Sequence, residues 1–349
     1  MDRCRLLGRS GLRVSPLALG TMTFGPDWGW GAHRDEAQRI FDSYVERGGN
    51  FIDTANVYTN GTAEELIGEF STGRRHRLVI ATKFCLPTGA DANSGGSHRK
   101  SMIRSVEASL RRLKTDYIDV LYLHAWDATT PPAEVVRAME SLVQCGKVLY
   151  LGVSNTPAWQ VARMEAIAEL RGWSQFAALQ VQYNLVERSA ERELLPMAAD
   201  LGISVVAWSP LAGGILSGKY AVGGDARGRP LGEDAARRGL LEELGSLSER
   251  ALHIAEAAKA VAHEIGCAPA QVALAWVLSN PAITAPVIGA RTLKQLEQNL
   301  GALDIRLTAD QRARLSKAAN FELGYPHDYL TWLLGSSFMA SCMNIEAPR

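Results

Sequence analysis

Cysteine is scarce in this chain: five among 349 residues, at positions 4, 85, 145, 267 and 342. The number is odd, the spacing is wide, and neither a CxxC pair nor a metal-finger spacing occurs, which speaks against a disulfide framework or a cysteine-bound metal. The thiols read as reduced and mostly buried, as in a cytosol. Net charge is missing too, because 37 basic and 37 acidic residues cancel. No global field is left to draw in nucleic acid or an anionic membrane, so a small-molecule role fits better. No apolar run approaches the roughly 18 uncharged residues of a membrane span. The start, MDRCRLLGRSGLRVSPLALG, is charged throughout and lacks the apolar stretch of a signal peptide, so the expectation is a cytoplasmic protein. The dinucleotide fingerprint G-x-G-x-x-G is also absent: Gly29-Trp30-Gly31 comes nearest, with Arg34 where the third glycine should stand. That weakens the alternative of an open doubly wound sheet.

What is present is a repeating pattern of short apolar runs and amphipathic segments, in a chain that is 47% hydrophobic and 21% charged and so able to bury a large core. A hairpin (CRLLG, turn GRSG, LRVSP) precedes a strand at 17–20. A helix near 35–47 sets Ala37, Ile40, Phe41, Tyr44 and Val45 on one stripe and ends at Gly48 and Gly49. Further strands are read at 50–53, 78–83, 118–124, 148–155, 177–180, 203–208 and 285–288. Helices between and after them are read at 63–70, 99–113, from Pro131 and Pro132, and at 157–170, 190–201, 248–265, 269–279 and 292–301. The helix at 99–113 is expected to bury Met102, Ile103, Val106, Leu110 and Leu113. Continuous apolar strands, each followed by a helix, imply a parallel sheet covered on both faces. Eight such units suggest closure. With no linker in sight, the expectation is an α/β fold, one domain over residues 1–349: a (β/α)8 TIM barrel with an N-terminal β-hairpin and an extra C-terminal helix or tail.

Active sites on such barrels gather at the carboxyl ends of the strands. Reading only those ends gives Asp53, Lys83, His124, Ser154 with Asn155, Gln180, and Trp208 with Ser209. Converging polar groups must be desolvated and paired, so a purely structural barrel has little reason to place one on strand after strand. Asp53 and Lys83 end neighbouring strands and should form an ion pair, with Tyr58 one loop turn beyond. An ammonium alongside favours the phenolate and would lower the tyrosine pKa from about 10 toward the working range. His124 could then donate a hydrogen bond to an oxygen bound over Tyr58. The set would polarise and protonate a carbonyl, and it has neither a nucleophile beside a base nor a cluster of metal ligands, so a hydride would have to come from a cofactor.

DTANVY, ATK, YLHAWD, GVSN, LQVQYN, AWSPLAGG and VIGART, in this order, make the chain resemble the aldo-keto reductases across nearly its whole length. The resemblance implies a catalytic tetrad of Asp53, Tyr58, Lys83 and His124, with Tyr58 as general acid, and an NADPH (NADP+) cofactor extended across the barrel mouth. It implies that Ser154, Asn155 and Gln180 hold the carboxamide and that Trp208 stacks on the nicotinamide. Ser209, Leu211, Gly213, Gly218 and Lys219 would wrap the pyrophosphate, and Gly289, Arg291, Gln295 and Asn299 the adenosine end. There Gln298 stands where the family often has a glutamate. Arg291, a planar cation suited to a 2′-phosphate, favours NADP over NAD.

Gly213, Gly218 and Lys219 also reproduce the G-x-x-x-x-G-K of a P-loop, but Tyr220 replaces the hydroxyl residue that would bind magnesium. The runs RHR at 75–77 and HRK at 98–100 read as solvated helix ends, and the segment at 223–239 as a surface loop or a lid. Trp28, Trp30 and Trp126 are candidate substrate contacts. The tail aromatics Tyr325, Tyr329, Trp332 and Phe338 would either wall the mouth or dock the tail on the barrel, and such a cavity would suit a fairly large, partly apolar or sugar-like carbonyl compound. The expected activity is reversible NADPH-dependent reduction of an aldehyde or ketone, with no nucleic acid, membrane or metal involved. Two alternatives remain: a nucleotide-sensing regulatory subunit on the same barrel, and a Schiff-base lyase using Lys83, whose neutral amine Asp53 would oppose. A short-chain dehydrogenase is disfavoured, since Y-x-x-x-K occurs nowhere.

Overall fold

The structure, a computed structural model, describes residues 1, 3–220 and 247–335. The segment at 223–239, Phe338 and Cys342 therefore lie outside the described residues. Two short antiparallel strands, β1 (Arg5–Leu6) and β2 (Arg13–Val14), form the expected hairpin. Eight parallel strands follow: β3 (Ala18–Gly20), β4 (Phe51–Asp53), β5 (Val79–Phe84), β6 (Ile118–Leu123), β7 (Val148–Ser154), β8 (Phe176–Gln182), β9 (Ser204–Trp208) and β10 (Ile283–Gly289). Each pairs with the next and β10 pairs back to β3, closing the barrel. Because both faces of these strands are covered, β5 and β6 are buried at every residue, which is why they read as largely apolar runs, interrupted at Thr82, Lys83 and Asp119, rather than alternating ones.

Helices α1 (Arg34–Glu46), α2 (Thr62–Phe70), α3 (Arg99–Leu113), α4 (Pro132–Gln144), α5 (Ala158–Arg171) and α6 (Leu194–Leu201) follow β3 to β8 in turn. After β9 come α7 (Glu249–Ile265) and α8 (Pro269–Leu278), and after β10 α9 (Leu293–Leu300), with α10 (Ala309–Ala318) and α11 (His327–Leu334) beyond. Helix α1 buries the stripe read from its sequence. Helix α3 does so except at Ile103, which is 37% exposed: it lies beside Met102 in sequence, about 100° round the helix, and so at the rim of the buried face. Helix α6 starts later than its sequence suggests. Pro196 has no N–H to bond back along the chain and is tolerated only in a helix's first turn, so Ser189–Glu191 forms a separate 3-10 turn instead.

The hairpin plugs the amino end of the barrel. Leu7 and Val14 join Ala18, Phe51, Val120, Tyr122 and Val206 in an inner apolar cluster, each burial worth roughly 2 kcal/mol. Arg5 Nη1 donates to the carbonyls of Ile283 (2.7 Å) and Thr284 (2.8 Å), and Ser204 Oγ accepts from the Gly8 N–H at 2.7 Å. Gly8 is required there: at φ +61° a side chain would meet the Ala177 carbonyl oxygen at 2.5 Å. With one end sealed by apolar side chains, polar groups on the inward face have only the opposite mouth to occupy.

Two surface readings change. Of the four described cysteines only Cys85 is buried; Cys4 and Cys145 are exposed, and Cys267 is intermediate, packing against the core from the turn after α7. The run at 75–77 is a 3-10 turn in which Arg75 is anchored, pairing with Asp119 at 2.6 Å and donating to the Tyr117 carbonyl at 2.8 Å. In the run at 98–100, His98 caps α3, its Nδ1 accepting from the Ser101 N–H. Among the described residues no single helix is long and apolar enough to cross a membrane; α7 and α8 pass such a test only as a pair bent by 99°.

Candidate active site

Asp53 closes β4 opposite Ala81 of β5, and Lys83, two residues on and on the same face, reaches back over it. Lys83 Nζ lies 2.7 Å from Asp53 Oδ2, with the two residues only 1% and 2% exposed. The same ammonium donates to the Thr54 carbonyl at 2.9 Å and to Tyr58 Oη at 3.1 Å. An ammonium has three N–H groups, so all three are committed. Burial alone would lower the Lys83 pKa, but the charges of Asp53 and Tyr58 and the hydrogen bonds to them outweigh it and hold it above its ordinary value. The group stays protonated.

Tyr58 is delivered by a tight turn in which Thr59 and Asn60 both adopt positive φ (45° and 56°). Thr59 Oγ1 holds that turn, donating to the Phe24 carbonyl and accepting from the Ala63 N–H. The Tyr58 ring then stands over Lys83 Nζ, 4.8 Å from its centroid, and edge-on to His124 at 6.0 Å. The expected lowering of the Tyr58 pKa is corrected. Burial raises it, the Lys83 ammonium pulls it down and Asp53 pushes it up again, and the net direction is upward. His124, just past β6, is held far below its ordinary range, at about 3, by burial first and the Lys83 charge second. Its imidazole is neutral at working pH, and its buried Nδ1 has no hydrogen-bond partner among the described residues.

These groups open onto a cavity of about 610 Å³ at the carboxyl end of the barrel. Asp53, Tyr58 and His124 are on its wall and Lys83 lies just beneath. Asn155, Gln180, Trp208, Ser209, Leu211, Gly213, Lys219, Gly289, Arg291, Gln295 and Asn299 line it as well. Ser154 and Gly218 do not. Ser154 is fully buried, its Oγ without a partner among the described residues, and Gly218 turns the chain at φ +78° against Pro269. Trp28, Trp30 and Trp126 are also off the wall: the first two pack on each other at 6.0 Å, and Trp126 packs against the core. In the tail, Tyr325, Tyr329 and Trp332 are 87%, 51% and 57% exposed and wall nothing.

The wall beside Tyr58 is built instead from Met22, Val57 and Leu86, with Thr23 nearby, and the far wall gains Gly214, Ser217 and Gln298. Of these only Gln298 was singled out from sequence. For the others the only signal was position, since Met22 and Leu86 each lie two residues beyond a strand end. The loops carrying Leu86 and Trp126 are tied together by Asp127, which accepts from the Ser97 N–H and from the hydroxyls of Ser97, Thr129 and Thr130. Partial burial would raise its pKa, but these hydrogen bonds win and hold the carboxyl well below the usual range.

On the opposite side the backbone does the shaping. Asn155, Ser209 and Ala212 take positive φ without being glycine, and Gly213 and Gly214 follow at 65° and 98°. Ser209 Oγ accepts from the Gly213 N–H at 3.0 Å, and a side chain at Gly214 would meet Lys219 Cε at 3.2 Å. Asn155 Oδ1 accepts from Trp208 Nε1 (3.1 Å) while its Nδ2 donates to the His124 carbonyl (2.8 Å), which sets the indole plane. Asn299 Nδ2 donates to the Gly289 carbonyl and Gln295 Oε1 accepts from the Arg291 N–H, fixing the rim near α9. Among the described residues no three histidine, cysteine, aspartate or glutamate side chains are placed to hold a metal.

Residues 16–320 match the aldo/keto reductase family. The chain belongs to that family. An aldo-keto reductase ausK of Aspergillus calidoustus is 38% identical over 94% of this chain and 85% of its own length. A norsolorinic acid reductase of Aspergillus flavus is 36% identical over 93% and 83%, and an aryl-alcohol dehydrogenase [NADP(+)] of Phanerodontia chrysosporium 37% over 94% and 88%. As an aldo/keto reductase the chain is an NAD(P)H-dependent oxidoreductase acting on small-molecule carbonyl compounds.

Proposed function

We propose that this reductase converts an aldehyde or ketone to an alcohol with NADPH, taking the proton from Tyr58. The observation that carries the reading is the position of Lys83 Nζ, bonded at once to Asp53 Oδ2 and Tyr58 Oη at the floor of the cavity. A permanent ammonium at 3.1 Å stabilises the phenolate left when Tyr58 gives up its proton, which is where a general acid of high intrinsic pKa needs help. Neutral His124 supplies a second hydrogen-bond donor toward the same carbonyl oxygen without adding charge.

The cleft fits a dinucleotide. Its wall at Gly213 and Gly214 carries no side chains and so lets a pyrophosphate approach the main chain closely, and Ser154 Oγ is a buried hydroxyl without a partner among the described residues, below the place where Asn155 and Gln180 would meet a carboxamide. The bound nicotinamide supplies the hydride. Trp208 would lie against its ring, and Ser209, Leu211, Gly213, Lys219 and, by supporting the turn, Gly218 would surround the pyrophosphate. Arg291, with Gly289, Gln295 and Asn299, would hold the adenosine end and prefer a 2′-phosphate. The NADP(+) in the name of the aryl-alcohol relative supports that preference.

Met22, Val57 and Leu86 make the substrate side apolar, and a flat aromatic carbonyl compound suits such a wall, in keeping with the names of the aryl-alcohol and norsolorinic acid relatives. Trp28, Trp30 and Trp126 would contribute only from behind it. A Schiff-base role for Lys83 is opposed by its raised pKa and by three committed N–H groups. The test is oxidation of NADPH against NADH by a panel of aromatic and aliphatic aldehydes and ketones. Turnover with NADPH and aromatic carbonyls supports the proposal; tight NADPH binding with no turnover on any member would favour a sensing subunit.

A further inference from the structure

Gln180 sits on β8, four strands from β4 in a ring of eight and so on the far side of the barrel from Asp53. Its Nε2 nevertheless reaches across the interior and donates to Asp53 Oδ1 at 2.6 Å. Asp53 thus has one oxygen held by Gln180 and the other by Lys83, and Lys83 in turn holds Tyr58. The chain of contacts runs from a residue on the cofactor side of the cavity to the phenol on the other. Asn155, the companion amide, makes no such link: it is spent on Trp208 and the His124 carbonyl.

We propose that Gln180 is a positioning residue for the proton donor: by sharing the charge of Asp53 it limits how strongly that carboxylate draws on the Lys83 ammonium, and so leaves Lys83 free to stabilise the Tyr58 phenolate. This goes beyond a contact with the carboxamide and rests on the reading of Tyr58 as the acid. A carboxylate that accepts a hydrogen bond from an amide spreads its charge over two donors. Without that amide the whole charge falls on Lys83 and, at longer range, on Tyr58, and both effects disfavour the phenolate. Among the described residues the charged or titratable groups that face Tyr58 are Asp53 from β4, Lys83 from β5 and His124 just past β6. Tyr122, on β6, is buried below, its hydroxyl close to the Gln180 amide. Burial holds both Tyr122 and His124 neutral across the alkaline range, leaving Asp53 and Lys83 as the charges that Gln180 can rebalance.

The test uses cofactor-free protein labelled with 13C at the tyrosine ζ carbon, with the Tyr58 resonance assigned by its loss in Tyr58→Phe. Phenolate content at one alkaline pH below the wild-type midpoint is compared among variants. Gln180→Met should carry about tenfold less phenolate, a shift of about one pH unit that is part of the worth of a charge-assisted hydrogen bond. Gln180→Leu, which removes the donor and keeps an apolar side chain, should carry similarly little and stands as the readout if Gln180→Met does not fold. Asn155→Ala should match wild type. Unchanged phenolate in both Gln180 variants, or an equal fall in Asn155→Ala, overturns the proposal. Failure of the wild-type protein to bind NADPH would count against the cofactor reading alone, since this titration uses none.

Discussion

On the Tyr58 side of the cavity the geometry is fixed by side chains: a buried ammonium with all three N–H groups bonded, a carboxylate held at both oxygens and a neutral imidazole. On the opposite side the main chain makes the wall, through left-handed residues at Asn155, Ser209, Ala212, Gly213 and Gly214 and one or two tethering hydrogen bonds. The first side places charge where a proton must move and tolerates no missing partner. The second is shaped by the main chain, its own N–H groups bonded within the turn, and leaves little room for an added side chain at Gly214. Damage to the first should therefore appear in rate and folding, and damage to the second in cofactor affinity.

Four substitutions would break that division if it were wrong, and the largest effect is expected at Tyr58. Tyr58→Phe should lower kcat at least about 100-fold, the usual worth of a general acid, while fluorescence titration finds NADPH affinity within about twofold of wild type. Lys83→Met should lower kcat similarly and also destabilise the fold by roughly 3–5 kcal/mol in chemical denaturation, because Asp53 is left buried without its cation. On the backbone side, Gly214→Ala forces a side chain into φ 98° beside Lys219, at a strain of about 1–2 kcal/mol. NADPH affinity should fall about tenfold with kcat nearly intact; a kcat loss without an affinity loss would erase the distinction between the sides.

The smallest effect concerns His124. Its pKa of about 3 lies below the ordinary 6.5, so between these values the unfolded chain binds a proton that the folded state refuses. Stability should decline as pH falls through that window, and the decline should be shallower in His124→Gln when the two are compared by denaturation at pH 7 and pH 4. No acid limb from this group should appear in the wild-type kcat profile between pH 5 and 8.

The barrel was legible because strands covered on both faces must be apolar along their length, and the polar side was legible because Asp53, Lys83 and His124 break that rule at strand ends. The wall beside Tyr58 was not. Met22, Val57 and Leu86 look like core residues in sequence, whereas Trp28, Trp30 and Trp126 look like pocket residues and face elsewhere. Direction past a strand end depends on loop turns that single residue types do not encode. The positive φ at Asn155, Ser209 and Ala212 was equally hidden, since no glycine marks those positions. The bond from Gln180 to Asp53 spans 127 residues and becomes visible only once the ring of strands has closed. The direction of the Tyr58 pKa was missed because proximity to Lys83 can be read from strand order while the depth of burial cannot.

The central claim is that a nicotinamide hydride and a Tyr58 proton reach one carbonyl in this cavity. It is tested most directly by a single turnover of protein loaded with NADPH carrying deuterium at the transferable position, mixed with an aromatic aldehyde and followed by mass spectrometry of the alcohol. One deuteron should appear on the product carbon in wild type, and the same transfer should be at least about 100-fold slower in Tyr58→Phe at saturating NADPH. Product without the label, or labelled product formed equally fast by Tyr58→Phe, would contradict the account.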